Sequence, residues 1–289
     1  MSMLLYILFS GLVTGAIYAV FALGLSLVYG TSRVLNFGYG SIYMLGAYGA
    51  YLLSSQLGFG YIGIVLCLLP AMFVLGLVLE VLIIRPLRKH PNWKMATMMA
   101  SLGLALVLDN LMLVIFGPEQ KQLPMMFDGL FEAGDFMIGH QDIAVLVIAL
   151  LTVVALELFL KFAPLGMAMR AVSQDMEGAR MVGIKVNRVF AYAFGLSTVL
   201  AGVAALLLTP VTLVSPQGGW ALFLKAFVIV VFGGLGSTRG ALVAALLLGV
   251  VESLVVYQLG ATWIMPVWLL ILLVVLMVRP KGLFGVWAV

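Results

Sequence analysis

Met3–Tyr29 reads MLLYILFSGLVTGAIYAVFALGLSLVY, an apolar run without one charged side chain. A helix needs about 20 residues to cross the hydrocarbon of a bilayer, so this run spans it with length to spare. It lacks the strict alternation of a barrel strand, and a helix is then the way to satisfy its backbone in lipid. No basic stretch precedes the run and no small-residue cleavage site clearly follows it. It is therefore expected to stay in the protein as a span rather than be removed as a signal peptide.

Outward from this run the pattern repeats. Similar stretches occupy 41–57, 61–84, 95–116, 143–160, 190–209, 221–232, 241–257 and 264–278. The chain of 289 residues is 64% hydrophobic and 9% charged, where a soluble domain carries about a quarter charged residues. Its mean hydropathy is +1.23. Too little polar surface exists to cover a water-facing globule, which excludes a large soluble domain. The expectation is an all-α, polytopic membrane protein, a single transmembrane domain over residues 1–289. It should have about eight to nine spanning helices, with two of the apolar regions broken by glycine.

The charged loops orient it. Arg85, Arg88, Lys89 and Lys94 form one basic connection; Lys161, Arg170, Arg180, Lys185 and Arg188 sit in a second, and Arg279 and Lys281 in the tail. The 117–142 loop sets Glu119, Asp128, Glu132, Asp135 and Asp142 against Lys121. Basic loops stay in the cytoplasm, so 85–94, 161–189 and the C-terminus are placed inside, and the acidic loop and the N-terminus outside. Alternation puts Arg33 and Arg239 inside as well.

The breaks are Gly30–Gly40 (GTSRVLNFGYG) and Gly233–Gly240 (GGLGSTRG), with a Gly-x-Gly-Ser at Gly38–Ser41 and at Gly234–Ser237. Irregular backbone at membrane depth survives only where it is buried in protein or lines a cavity, and paired breaks point to a substrate path in transporters. The path candidates are Asn36, Phe37, Gly38, Tyr39, Gly40 and Ser41, then Gly233, Gly234, Gly236 and Ser237. The competing reading is close helix packing through small residues, for which Gly11 and Gly15 offer a G-x-x-x-G.

The search for catalytic chemistry is mostly negative. The sequence has no G-x-x-x-x-G-K-[ST] phosphate loop. Gly58–Gly63 fits G-x-G-x-x-G but follows no strand. Cys67 is the single cysteine, which excludes an internal disulfide or a cysteine-based metal site. His90 and His140 fall on opposite sides of the membrane and cannot share a metal. No metal site is expected.

Charges within the spans are costly in lipid and face the bundle interior. Glu80 near Arg85, and Glu157 near Lys161, are explained by snorkelling and local pairing at the inner interface. Asp109, Lys225 and Glu252 lie deeper. They read either as gating residues or, preferably, as ties between helices.

The loop 161–189 carries the strongest signal. Met169, Val172, Met176 and Ala179 recur at helical spacing, making an apolar stripe able to lie on lipid headgroups or dock into a partner. Within it, Glu177-Gly178-Ala179-x-x-x-Gly183 resembles the E-A-A-x-x-x-G loop through which ABC importer permeases grip their ATPase subunits, with Gly178 in place of the second residue. Further blocks follow the same family's order: Asn36–Ser41 with Met44–Tyr48, Met169-Arg170-Ala171, Lys225-Ala226-Phe227, Gly233–Ser237, Glu252-Ser253 and Arg279–Gly285. The chain thus resembles the LivH-like branched-chain amino-acid permeases over nearly its full length.

That resemblance implies a subunit of a binding-protein-dependent importer in the bacterial inner membrane. Its companions would be a second related permease, two ATPase subunits and a periplasmic solute-binding protein. ATP and Mg would belong to the ATPases; the chain itself would carry no cofactor and no enzyme activity. Arg170, Glu177, Gly178, Ala179 and Gly183 would form the ATPase-coupling site. Leucine, isoleucine and valine are the family's usual substrates, with other amino acids, urea or short amides among its relatives. Alternating access would open a path on which Gly38–Ser41 and Gly233–Ser237 meet the polar ends of an amino acid, with Phe37 and Tyr39 beside its side chain. An ATPase-independent secondary transporter or a channel would share the broken helices but not the coupling loop. A membrane enzyme fits less well, since no nucleophile–base or paired-carboxylate set lies at one face.

Overall fold

A computed structural model describes residues 2–127, 129–133, 136–279 and 282–284. Asp128, Asp135 and Lys281, used above for orientation, lie outside them. The order is α1 (Ser2–Ser32), α2 (Tyr39–Ser55), α3 (Tyr61–Leu79), α4 (Arg85–Leu87), α5 (Trp93–Phe116), β1 (Leu130–Ala133), β2 (Phe136–Gly139), α6 (His140–Phe162), α7 (Pro164–Gln174), α8 (Met176–Met181), α9 (Val186–Leu208), α10 (Gly219–Gly233), α11 (Thr238–Leu259) and α12 (Ile264–Val278). A π-helical turn, Glu80–Ile84, joins α3 to α4, and a 3-10 turn, Ala261–Trp263, leads into α12.

Among the described residues, seven helical segments are long and apolar enough to cross a membrane: Leu4–Ser32, Tyr61–Leu87, Trp93–Phe116, His140–Phe162, Val186–Leu208, Thr238–Leu259 and Ala261–Val278. The expected eight to nine differ from this by α2 and α10, which have 17 and 15 residues. Both are shortened because each begins inside the bundle rather than at its edge.

The core gathers on α1 and α9. Residues Ala16–Leu25 of α1 are buried almost throughout, and α1 packs on α6, α9, α10 and α11. Its glycines make this possible. A methyl group on Gly11 would stand 2.7 Å from the Val250 Cα, and one on Gly15 would stand 2.9 Å from the Ala245 carbonyl oxygen. Gly249 of α11 presses back on both. Backbones this close gain dispersion contact that lipid cannot replace, the means by which helices associate in bilayers. Packing therefore accounts for Gly11 and Gly15.

The acidic loop holds a feature the sequence reading did not contain. β1 and β2 pair antiparallel, and an isolated bridge joins Lys121 to Val214. Exposed backbone at this end of the bundle pairs with itself.

Candidate functional site: the broken helices and the coupling elbow

The first break lies at depth. Between α1 and α2 the chain turns at Arg33, whose φ is +56°. The Asn36 Oδ1 accepts from the Gly38 N–H at 3.0 Å, and the Phe37 N–H donates to the Ser101 Oγ at 3.0 Å. These side chains replace helix partners for backbone groups that lipid cannot serve. The Tyr39 hydroxyl donates to the Ser197 carbonyl at 3.1 Å. Ser197 is the midpoint of α9, about 17 Å from either end at 1.5 Å per residue, so α2 starts near the middle of the bundle.

α10 starts there too. A Cβ on Gly40 would overlap the Gly219 carbonyl, and one on Gly219 would overlap the Gly40 carbonyl. The Trp220 indole N–H donates to the Asp109 Oδ2 at 2.8 Å, and the Phe37 and Phe223 rings stand 5.8 Å apart. Two helix N-termini thus meet at mid-depth, bound to α5 and α9. Gly219, Trp220 and Ser101 were missed from sequence. The signal was present in Pro210, Pro216, Gly218 and Gly219, a third cluster of helix breakers.

The path candidates separate. Asn36, Gly38, Tyr39, Gly40 and Ser41 are buried within the chain's own core, and Phe37 is half-buried. Tyr39, expected beside a substrate side chain, instead stacks on Phe21 at 4.5 Å between centroids and is fully buried. Its hydroxyl needs a partner in an apolar interior, and the Ser197 carbonyl supplies one. The second break, Gly233–Ser237, touches the first at its opening residue, Gly30, and not at Gly40. Gly236, with φ +85°, lies against Gly30; Gly233 meets Gly240, and Gly282 meets Gly234. Ser237 caps α11, its Oγ accepting from the Gly240 N–H at 3.1 Å.

The buried charges are partnered. Lys225 Nζ lies 2.8 Å from Glu252 Oε1 and 2.6 Å from the Tyr18 hydroxyl. Tyr18 donates to Glu252 Oε1 at 3.0 Å, and the Trp268 indole donates to Oε2 at 2.9 Å. One network therefore ties α1, α10, α11 and α12. Glu80 is fully buried and bonds Arg88 across the π-turn, with Arg85 3.7 Å away. The expected local pair with Arg85 is thus the lesser one, because the extra residue in the turn carries Arg88 back over Glu80. Arg88 also covers the Phe190 ring at 4.3 Å. Glu157 turns away from Lys161 to accept from the Thr238 hydroxyl at 2.9 Å, with Arg239 at 4.0 Å.

The loop expected to couple to an ATPase folds as an elbow. Asp175 breaks the helix into α7 and α8, and its Oδ1 accepts from the Glu177 N–H at 3.0 Å, an N-cap. A Cβ on Gly178 would come within 2.5 Å of the Asp175 Oδ2, so glycine gives the capping carboxylate room. The apolar stripe does not face lipid or a partner. Met169, Val172 and Ala179 are buried against the bundle, and Met176 packs there as well. The bend lets both helices bury one face. Exposed instead are Glu177, Arg180, Met181 at 87% and Val182 at 77%. α8 ends on Gly183 at φ +86°, where the Ile184 N–H donates to the Ala179 carbonyl at 3.0 Å and the Gly183 N–H to the Arg180 carbonyl at 3.0 Å. This closure satisfies the last carbonyls and requires a left-handed residue. The Arg33 guanidinium donates to the Ser173 carbonyl at 2.8 Å, joining elbow to first break.

The family described as "Branched-chain amino acid transport system / permease component" matches residues 7–279. The chain belongs to this permease family. It is 29% identical over 297 residues to the high-affinity branched-chain amino acid transport system permease protein LivH of Escherichia coli K12, covering 96% of this chain and 94% of LivH. Identity to BraD of Pseudomonas aeruginosa, of the same description, is 30% over 292 residues, 96% of this chain and 94% of BraD. LivM of Escherichia coli K12 is 29% identical over 293 residues, covering 92% of this chain and 67% of LivM. Among solved structures, PsaBC from Streptococcus pneumoniae in complex with Fab aligns with a TM-score of 0.51 at 14% identity, over 94% of this chain and 91% of that one. That likeness concerns fold. As a member of this family the chain is a multi-pass membrane transport protein, and its elbow holds the Glu177-Gly178-Ala179-x-x-x-Gly183 segment that carried the family resemblance.

Proposed function

We propose that the chain is the transmembrane subunit of a binding-protein-dependent ABC importer for branched-chain or related amino acids, working by alternating access. The observation that carries this reading is the elbow. α8 presents Met181 and Val182 to solvent beside Glu177 and Arg180, a short apolar tip ringed by charge on the side rich in Lys and Arg. Exposed apolar residues grouped in this way mark a protein partner, here one of two ATPase subunits that hold ATP and Mg. Glu177 would supply a charge-assisted bond to a basic group of that partner, and Arg170 would brace α7, its guanidinium bonding the Lys161 carbonyl at 3.3 Å. A periplasmic solute-binding protein and a second related permease complete the assembly; this chain's similarity to both LivH and LivM supports such a pairing. The N-terminus is periplasmic and the C-terminus cytoplasmic.

Motion passes from the elbow through Arg33 to the first break. We assign the substrate route to that break, along Phe37 and Trp220, where α2 and α10 begin. Asn36, Gly38, Tyr39, Gly40 and Ser41 shape the turn behind it. Gly233 and Gly236 fit better as packing positions, because the nearest atoms to each are backbone, with Gly234 against Gly282, and Ser237 fits better as the cap of α11.

The test is uptake of labelled leucine by the complete transporter in vesicles, with and without ATP. ATP-dependent uptake requiring the binding protein, reduced by Glu177→Ala together with ATPase association, supports the reading. Uptake without ATPase subunits overturns it in favour of a secondary transporter. A binding protein that takes urea or a short amide moves the substrate class.

A further inference from the structure

A cavity of about 360 Å³ opens at the inner end of the bundle, where Gly30 and Thr31 from the start of the first break line it together with Gly236 and Ser237 of the second. α1 forms its floor, α6 and the start of α11 its walls, and α7 its lip. Lys161, Arg170 and Arg239 line it, against the single carboxylate of Glu157. That carboxylate is engaged by Thr238 and Arg239. Among the described residues no carboxylate lies within 4.0 Å of Lys161 or Arg170. The cavity therefore carries uncompensated positive charge. The N-terminus of α11, where Ser237 caps the Gly240 N–H, adds the partial positive charge of a helix start.

An independent observation points to a ligand. Ser26 lines the cavity floor, is 0% exposed, and its Oγ has no hydrogen-bond partner. A buried hydroxyl without a partner is destabilising, and an oxyanion accepting from it would relieve that cost. The outer surface of α6 indicates where that oxyanion comes from. Val147, Leu151, Val154, Leu158 and Phe162 are exposed at 48%, 63%, 53%, 51% and 64%. Their spacing puts them on one face. This apolar track ends at Phe162, with the Lys161 ammonium 5.0 Å from its ring centroid. An acyl chain on the track would bring a headgroup to the cavity mouth.

We propose that this cavity seats the phosphate of an anionic phospholipid of the inner leaflet, held by Lys161, Arg239 and Ser26. Cations between helices at the cytoplasmic boundary are suited to such headgroups. Because α7 forms the lip, an occupied site would also steady the elbow.

The test is native mass spectrometry of the intact transporter released from detergent, titrated separately with phosphatidylglycerol, phosphatidylcholine and inorganic phosphate. Phosphatidylglycerol should be retained about tenfold better than phosphatidylcholine, and Lys161→Gln with Arg239→Gln should remove about that advantage. Ser26→Ala, which changes little volume, should weaken retention in a complex of wild-type thermal stability. Equal retention of the two lipids, or unchanged selectivity in the charge variant, overturns the proposal. Retention of inorganic phosphate as strong as that of phosphatidylglycerol overturns the lipid source. Leucine uptake measured in parallel keeps this site separate from the transport reading: a wild-type complex that transports leucine yet retains the two lipids equally counts against the site alone.

Discussion

Lys225 and Glu252, 27 residues apart in the chain, meet as a 2.8 Å ion pair inside the bundle, and the Tyr18 hydroxyl closes a triangle with them. Each carboxylate oxygen is bonded and the ammonium is shared. Such a network is stable as a unit and unstable in parts, since removing one partner strands a charge, at about 3–5 kcal/mol. Glu252→Ala should therefore lower the unfolding temperature of the detergent-purified protein sharply. The double variant Lys225→Met, Glu252→Leu should recover most of the loss. A loss in the double variant equal to the sum of the losses in the two single variants would show that the two act independently.

Gly40 and Gly219 hold the N-termini of α2 and α10 together, each leaving no space for a Cβ on the other. Gly40→Ala or Gly219→Ala should cost about 1–3 kcal/mol through overpacking and should abolish leucine uptake while the chain still inserts. Full uptake by either variant would separate this contact from transport. By contrast, Gly236→Val should reduce assembly and uptake in proportion, because it strains a φ of +85° against Gly30.

Gly183 sits in open space, so its substitution fills nothing; the penalty arises from its φ of +86°. A residue with a Cβ pays roughly 1–2 kcal/mol in that region, and asparagine pays less. Gly183→Leu should uncouple ATP hydrolysis from uptake, and Gly183→Asn should retain most coupling. Identical behaviour of the two variants would point to side-chain contact with the partner instead.

Orientation is open to direct labelling. Cys67 is exposed, so the background must carry Cys67→Ser. Cysteine replacing Glu119, whose side chain is 79% exposed, should react with an impermeant reagent outside intact cells. Cysteine replacing Gln174 or Lys89 should react only after the inner face is opened. Outside labelling at Gln174 would overturn the orientation and the coupling role together.

Composition and patterning by themselves determined the class. Uncharged runs such as Met3–Tyr29 are incompatible with water, and in lipid a chain without alternation must be helical. The Glu177–Gly183 segment could be singled out too, because its short helix and closing glycine are neighbours in sequence. Tertiary structure alone decided which residues meet. The G-x-G-S repeat linked Gly40 to Gly236, yet Gly40 packs on Gly219, since facing surfaces depend on helix depth and direction rather than on matching tetrapeptides. Glu157 reaches Thr238 and not Lys161, and the Met169–Ala179 stripe turns inward, for a common reason. A helical pattern marks a face as apolar or charged, but the neighbour that covers that face comes from a distant part of the chain. Asp175 decided the last case, breaking one expected helix into two that fold back on the bundle.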